Sequence, residues 1–210
     1  MEQNQFNEIY TVNPQNVPWG YKNADLDLAH IVERLRLSPR SKVIDIGCGN
    51  GKNTTYLGLK KFKIYGFDIS SRAVSIAKER VPLGNFIVAD AAHLPYANKY
   101  FDIAFDWGLF HCIPREKRTC VKKEICRILK PKGCYIMRVF SRPAGHLAGT
   151  PLFHENLDQT GRTAEQDLSR QQFPVWSFTF HQISNIFSGD FIIEDKLYSG
   201  NRIIAIMSKK

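Results

Sequence analysis

Short apolar runs alternate with helical patterns along the first two thirds of the chain. Five of these runs predict buried strands, at residues 42–46, 62–67, 85–89, 101–105 and 134–140. Apolar positions recur at helical spacing before and between them, which predicts helices at about 23–38, 53–60, 71–80 and 115–129. Strands and helices that alternate in this way predict a parallel, doubly wound α/β sheet.

The last third of the chain has a different pattern. A helix is predicted near 178–187, and two apolar strands follow at 191–197 and 202–207. The four residues between these strands suit an antiparallel hairpin. We therefore expect residues 1–210 to form a single domain, with a mostly parallel seven-stranded sheet that ends in an antiparallel hairpin.

Two segments lie outside this alternation. Residues 1–21 are polar with scattered aromatic residues, so we expect an irregular N-terminal arm. Residues 141–174 contain few apolar residues and are too long for a simple connection, which predicts an insertion or lid.

Composition narrows the class of protein. Hydrophobic residues make up 43% of the chain, a typical value for a globular domain. No apolar run is long enough for a signal peptide or a membrane helix, and the five cysteines show no Cys-x-x-Cys spacing. We therefore expect a cytoplasmic protein without a membrane contact or disulfide framework. No metal site is predicted, because His146 and His154 lack a ligand spacing.

The net charge of +9 leaves two interpretations open. Basic residues are densest from 115 to 132, where apolar positions at helical spacing indicate one buried face. The charges then lie on the solvated face of this helix, which is the favoured interpretation. The alternative is a surface that binds a polyanion.

The most informative stretch is Val43–Gly51, an apolar strand with one acid followed by three alternating glycines. Glycine tolerates positive φ and lets a ligand approach the main chain. The dinucleotide fingerprint requires a third glycine where this chain has Lys52. Asp45 would repel a pyrophosphate but suits a cationic ligand.

This stretch resembles the first motif of class I S-adenosylmethionine-dependent methyltransferases. Residues 101–104 and 129–133 also match strings of that family, with Lys132 in place of a glycine. The resemblance covers about residues 40–140 and is closest to the small-molecule enzymes of the thiol, thiopurine and type 11 kind. It implies a Rossmann-like fold and S-adenosyl-L-methionine as cofactor, with S-adenosyl-L-homocysteine as product.

The same resemblance implies roles for the residues at the strand ends. Gly47, Cys48, Gly49 and Gly51 would contact the methionine part of the cofactor, and Asp45 its cationic end. Asp68 would bind the ribose, with Ile69 beside it, and Asp90 and Ala91 would recognise adenine. Each acid has a structural alternative: Asp45 as a buried acid that holds the loop, Asp68 as a helix cap, and Asp90 as part of a turn.

Residues 106–114 would border the transferred methyl group, with Asp106 and Trp107 against the cofactor. This segment lacks the Asn-Pro-Pro-Tyr-like string of many amino-group methyltransferases and resembles small-molecule enzymes instead. His111 is the candidate general base, and its alternative is a packing role. Candidate acceptor contacts are aromatic residues that would otherwise belong to the core: Trp19, Tyr21, Phe110, Phe153 and Trp176.

The predicted reaction is in-line transfer of a methyl group to a small-molecule acceptor, which depends on positioning and desolvation. Two alternatives remain open at this point. The first is an RNA or protein methyltransferase, which the basic charge favours. The second is a cofactor-binding module without turnover. The sequence does not indicate the oligomeric state.

Overall fold

The structure is a computed structural model, and it describes residues 3–12, 17, 25–141, 151–153 and 174–210. Its main feature is a seven-stranded sheet with the strand order β3-β2-β1-β4-β5-β9-β8. The predicted fold class is confirmed. The strands are β1 Lys42–Ile46, β2 Lys63–Asp68, β3 Asn85–Val88, β4 Phe101–Asp106, β5 Leu129–Phe140, β6 Pro151–Phe153, β7 Pro174–Trp176, β8 Phe191–Ser199 and β9 Arg202–Lys209.

Helices cover both faces of the sheet and produce two separate apolar cores. One core joins the sheet to helices α2, α3 and α4, and the other joins it to α5 and α6. Because β1 and β4 are covered on both sides, they are apolar along most of their length. The helices are α1 Gln3–Val12, α2 Leu26–Leu35, α3 Lys52–Leu59, α4 Ser71–Arg80, α5 Arg118–Ile128 and α6 Phe180–Phe187.

Strands β1 to β5 are parallel to one another, so their carboxyl ends meet at one edge of the sheet. The predicted terminal hairpin is present, with β9 antiparallel to both β5 and β8. β9 lies between these two strands, and its central residues Ile203–Met207 are buried. The hairpin therefore places β9 in the interior of the sheet and β8 at its edge.

The prediction of an irregular arm over residues 1–21 is wrong for its first half, because residues 3–12 form α1. This short polar helix is held by contacts with α4 that lie far from it in sequence. Trp19 and Tyr21 lie outside the described residues.

The predicted insertion lies largely outside the described residues. Within it and at its end, β6 and β7 form a separate two-stranded antiparallel sheet. Phe153 pairs with Pro174 across this sheet, and its side chain is not among those described.

The boundary between α5 and β5 also differs from prediction. Residues Arg115–Lys117 form a 3-10 turn before α5, and β5 begins at Leu129 rather than at residue 134. Lys132, where the family commonly has glycine, is exposed and has a φ of 60°. The family's preference for glycine at this position follows from that left-handed backbone.

Candidate cofactor site

Four acids lie near the carboxyl ends of neighbouring strands, and the first is Asp45, one residue before the end of β1. Asp106 is the register partner of Ile46 at the end of β1, and Asp68 ends β2 beside it. Asp90 follows β3 by two residues. Open parallel sheets bind ligands at this edge, close to the point where the strand order reverses.

The glycine loop between β1 and α3 has a left-handed backbone at three positions. The φ values of Gly47, Gly49 and Gly51 are 70°, 52° and 76°. A Cβ on Gly47 would lie 2.7 Å from the Leu109 side chain, and one on Gly49 would lie 2.5 Å from the Tyr10 hydroxyl. The glycines are thus required by packing within the protein as well as by backbone conformation.

Cys48 places its thiol beneath this loop. The side chain is buried, and a Cβ on Gly66 of β2 would lie 3.1 Å from the Cβ of Cys48. Burial raises the pKa of the thiol well above its ordinary range. The thiol is therefore protonated at neutral pH and packs as a small apolar group.

Asp45 is buried and accepts a hydrogen bond from the Thr54 hydroxyl of α3 at 2.6 Å. Burial raises the pKa of Asp45 to about 7, the hydrogen bond from Thr54 opposes this, and the nearby charges of Asp106 and Asp68 add to it. Asp45 thus fixes the start of α3 and is also poised to lose a proton when a cation approaches.

Asp68 joins the end of β2 to the glycine loop. Its Oδ2 accepts from the Gly49 N–H at 2.9 Å, and its Oδ1 accepts from the Ser70 N–H at 2.9 Å. Burial raises the pKa of this carboxyl. The helix-cap alternative does not hold, because the Ser70 hydroxyl caps α4 by accepting from the Ala73 N–H. A carboxylate has about four acceptor sites, so both oxygens retain capacity for further donors.

Asp90 is half-buried and forms a tight turn. Its Oδ1 accepts from the Ala92 N–H at 2.9 Å, and its backbone carbonyl accepts from the His93 N–H at 2.9 Å. Within the described residues, neither the Asp90 Oδ2 nor the Ala91 N–H forms a hydrogen bond. An acceptor and a donor are therefore side by side at the end of β3, where adenine would require them.

The predicted cofactor contact of the Asp106 side chain is not supported, because this carboxyl is fully buried and engaged within the protein. Its Oδ1 accepts from the Leu109 N–H at 2.7 Å, and its Oδ2 accepts from the Tyr135 hydroxyl at 3.0 Å. Further hydrogen bonds come from the backbone of Gly108 and Phe110. Burial raises the pKa of Asp106 to about 6. The structure assigns Asp106 the role of holding the loop after β4.

This loop continues into a 3-10 turn, Phe110–Cys112, that contains the candidate base. His111 is buried, with its ring centroid 4.6 Å from that of Phe140. Gly108 has a φ of 124°, and a Cβ there would lie 3.3 Å from the His111 ring. The ring is therefore tightly positioned, which both the base role and the packing role require.

The aromatic residues near this loop have different environments. Phe110 is fully buried against Phe178 and Phe187, so the predicted substrate contact is wrong for this residue. Trp176 is half-buried on β7, with the Arg118 guanidinium 5.3 Å from its ring centroid. β7 contacts the turn that carries His111, which places Trp176 on the same side of the site.

The sequence interpretation missed the part of α1 in this site. Tyr10 is buried against Gly49, and the Asn7 Oδ1 accepts hydrogen bonds from the start of α4. The spacing of Phe6, Ile9 and Tyr10 was the available signal, since it places three apolar side chains on one helical face.

Two buried donors, one in the glycine loop and one just after β4, could donate to a ligand. Asn50 Nδ2 and Trp107 Nε1 have no hydrogen-bond partner within the described part of the chain. Buried donors without acceptors are costly, and a bound ligand removes that cost. The acids, the loop and these donors together fit a cationic ligand with polar substituents, as S-adenosylmethionine is.

The chain is similar to known methyltransferases. Residues 43–133 match the family described as "Methyltransferase domain". An uncharacterized methyltransferase of Synechocystis sp. is 31% identical over 121 residues, which cover 58% of this chain and 57% of the relative. A tRNA (carboxymethyluridine(34)-5-O)-methyltransferase of Saccharomyces cerevisiae is 30% identical over 132 residues, covering 61% of this chain and 46% of that protein. The chain thus spans about half the length of these curated relatives.

Solved structures show the same fold. A methyltransferase from Burkholderia thailandensis, with bound 1,6-didemethyltoxoflavin and S-adenosylhomocysteine, has a TM-score of 0.73 at 16% identity over 99% of this chain and 87% of its own. A protein from Pyrococcus horikoshii has a TM-score of 0.71 at 23% identity over 97% of this chain and 99% of its own. Residues 43–133 of this chain thus match a methyltransferase domain, and the chain has the fold of these solved structures.

Proposed function

We propose that this protein transfers a methyl group from S-adenosylmethionine to a small-molecule acceptor. The observation that carries the proposal is the set of buried carboxyls at the carboxyl ends of β1, β2 and β4, beside a glycine loop. Burial raises the pKa of each carboxyl, and the nearby charges of Asp106 and Asp68 raise that of Asp45 further. Such a site favours a ligand that brings positive charge.

Different described residues would bind different parts of the cofactor. The glycine loop and the Asn50 amide would contact the methionine part, and Asp45 would counter its positive charge. Asp68, with Ile69 next to it, would accept hydrogen bonds from the ribose hydroxyls, while Asp90 and the Ala91 N–H would recognise adenine. When bound, S-adenosylmethionine supplies an electrophilic methyl group on a sulfonium.

The acceptor side favours a small molecule that becomes enclosed. His111 is buried between Gly108 and Phe140, and the half-buried Trp176 lies beside its turn. The network around Asp106 fixes this loop, so its side chains are preorganised. Enclosure of this kind orients an acceptor and excludes water, which accounts for much of the catalysis of a displacement reaction. The fold relative that methylates 1,6-didemethyltoxoflavin supports an acceptor of this size.

His111 is the proposed base for an acceptor that must lose a proton. Replacing His111 with Ala and with Gln distinguishes a role as base from a role in packing. A base is indicated when both variants lose turnover while their affinity for S-adenosylhomocysteine is unchanged. An equal loss of turnover and affinity would mean that the ring only orders the loop.

An RNA acceptor is the second candidate. The tRNA methyltransferases among the relatives and the net charge of +9 favour it. A base in RNA would have to be unstacked and inserted beside His111, as enzymes that act on bases do.

The experiment that separates these candidates follows a labelled methyl group. The purified protein is incubated with labelled S-adenosylmethionine and either a metabolite extract or total RNA, and the product is sorted by size. Label in small extractable products supports the proposal, and label in RNA supports the second candidate. Binding of the cofactor without transfer in either mixture would identify a module without turnover.

A further inference from the structure

A charged surface lies at the opposite end of the sheet from the cofactor site. At this end β1, β2, β4 and β5 begin, and α2, α3, α4 and α5 finish. We refer to it as the basic edge. Six exposed cations define it: Arg36, Arg40, Lys61, Lys63, Lys99 and Lys132.

Five of these six residues have a left-handed backbone. The φ values are 46° at Arg36, 70° at Arg40, 62° at Lys61, 56° at Lys99 and 60° at Lys132. Among the described residues, every non-glycine position with positive φ is therefore basic and lies at this edge. Glycine is the residue that this conformation favours, so the fold alone does not account for a cation at all five positions.

The cations form a row along the sheet. Lys42 and Lys63 are register partners on β1 and β2, and the Arg40 N–H donates to the Lys61 carbonyl at 3.1 Å. Lys99 precedes β4, and Lys132 lies near the start of β5. Neighbouring strands are about 4.8 Å apart, so the row from β2 to β5 spans about 14 Å. A row of this length matches a linear polyanion better than a single small anion.

Nearby acids do not neutralise the row. Glu33, Asp102, Glu124 and Asp190 are each paired with a further cation, namely Lys60, Lys130, Arg127 and Lys122. The six defining cations form no ion pair with any described residue. Glu79, at the end of α4, is one exposed acid here without an ion pair in that part of the chain.

Helix C-termini explain part of the charge but not all of it. Four helices end at this edge, and each contributes about half a negative charge that favours nearby cations. The resulting two negative charges are fewer than the six exposed cations. Considerable positive potential therefore remains at the surface.

Two aromatic rings near the basic edge are not open for bases to stack on. The rings of Tyr56 and Tyr100 are covered by Lys60 and Lys42, whose Nζ atoms lie 5.2 Å and 3.6 Å from the ring centroids. Contacts to phosphate alone fix position without reading sequence. We propose that the basic edge binds the sugar–phosphate backbone of a nucleic acid, independently of base sequence and on the face opposite the cofactor site.

A binding assay without cofactor tests this proposal separately from methyl transfer. The probes are fluorescent RNA and DNA duplexes of about 20 base pairs and mixed sequence, titrated between about 50 and 200 mM salt. The edge variant combines Arg40→Gly, Lys61→Gly and Lys99→Gly. We expect it to bind about tenfold or more weakly at the lower salt, and the slope of log affinity against log salt to fall by about two to three.

The control variant removes the same charge elsewhere, by Arg115→Gln, Lys117→Gln and Lys123→Gln. We expect it to retain most of the affinity and slope, and both duplexes to bind wild-type protein equally. Thermal unfolding of the edge variant should occur at or above the wild-type temperature, since glycine relieves the left-handed backbone. If the three glycines impair folding, a second edge variant with Asn at the same three positions is used instead.

Several results would overturn the proposal. The first is that wild-type protein does not bind either duplex at the lower salt. The second is that the edge variant binds as tightly as wild type. The third is that the control variant loses as much affinity as the edge variant. The exposed Leu59 and Leu83 near the same edge make an anionic membrane the competing partner. Binding to phosphatidylserine vesicles but not to either duplex would assign the edge to a membrane surface instead.

Discussion

Asp45, Asp68 and Asp106 are buried together where water stabilises their charges poorly. Burial raises the pKa of Asp45 to about 7 and that of Asp106 to about 6. Unfolded aspartate has a pKa near 3.9, so the folded protein binds protons that the unfolded chain has lost at pH 5 to 6. These residues therefore favour the folded state most at low pH, and this contribution is lost as the pH rises through their folded pKa values.

The Asp45→Asn variant isolates this contribution for one residue. Between about pH 4 and pH 7, we expect the free energy of unfolding of wild-type protein to fall relative to that of the variant. Each unit of pKa shift corresponds to about 1.4 kcal/mol, so the relative change should amount to several kcal/mol. Urea denaturation at a series of pH values measures it. Parallel curves for the two proteins would mean that Asp45 titrates normally.

The proposed role of Asp68 is tested by measuring affinity for the cofactor product. Asp68→Ala should weaken binding of S-adenosylhomocysteine by about 1.5–3 kcal/mol, the usual range for hydrogen bonds that involve a charged group. Calorimetry measures this change, and Asp68→Asn, which keeps one acceptor oxygen, should lose less. Unchanged affinity in Asp68→Ala would exclude the ribose role.

At the scale of elements, α1 packs against the candidate site although it is remote from it in sequence. The Asn7 Oδ1 accepts from the Ser70 hydroxyl at 2.8 Å and from the Arg72 N–H at 3.3 Å, at the start of α4. This contact holds the helix so that Tyr10 covers Gly49. The position of α1 and the conformation of the glycine loop are therefore linked.

Replacing Asn7 tests that link. Asn7→Ala removes acceptor contacts worth about 0.5–1.5 kcal/mol each, so we expect affinity for S-adenosylhomocysteine to fall about 2- to 10-fold. Asn4→Ala is the matched control, because Asn4 lies on the same helix and is exposed. Equal affinities for both variants and wild type would show that α1 covers the loop without supporting it.

The elements also show what the sequence reveals and what it does not. The strands were predictable because covering on both faces makes them continuously apolar. The placement of Asp45, Asp68 and Asp90 at one end of the sheet was predictable from their positions near strand ends. The role of Asp106 was not, because it depends on the next residues turning back over the carboxyl at Gly108. α1 was missed because its stability comes from contacts with α4 rather than from its own short polar sequence.

On the scale of the whole molecule, cofactor binding should stabilise the fold in a pH-dependent way. S-adenosylhomocysteine at about 100 times its Kd should raise the free energy of unfolding by about 2.7 kcal/mol. S-adenosylmethionine adds positive charge near Asp45 and should displace its proton, so its affinity should rise from pH 6 to pH 8. Calorimetry in buffers of different ionisation enthalpy detects the released proton, and its absence would place the positive charge away from Asp45.

Two features were not found among the described residues. None of their helices is both long and apolar enough to cross a membrane. No three His, Cys, Asp or Glu side chains in the same residues are grouped so that they could hold a metal ion.

The position of β9 between β5 and β8 has a consequence for synthesis on the ribosome. β5 ends at Phe140 and its partner begins at Arg202, so about 60 residues must be translated before the two strands pair. At about 5–20 residues per second, the outer edge of β5 stays unpaired for roughly 3–12 s. A nascent chain with a long apolar strand exposed for that time is a substrate for chaperones, and a pause in translation between these strands would extend its risk of aggregation.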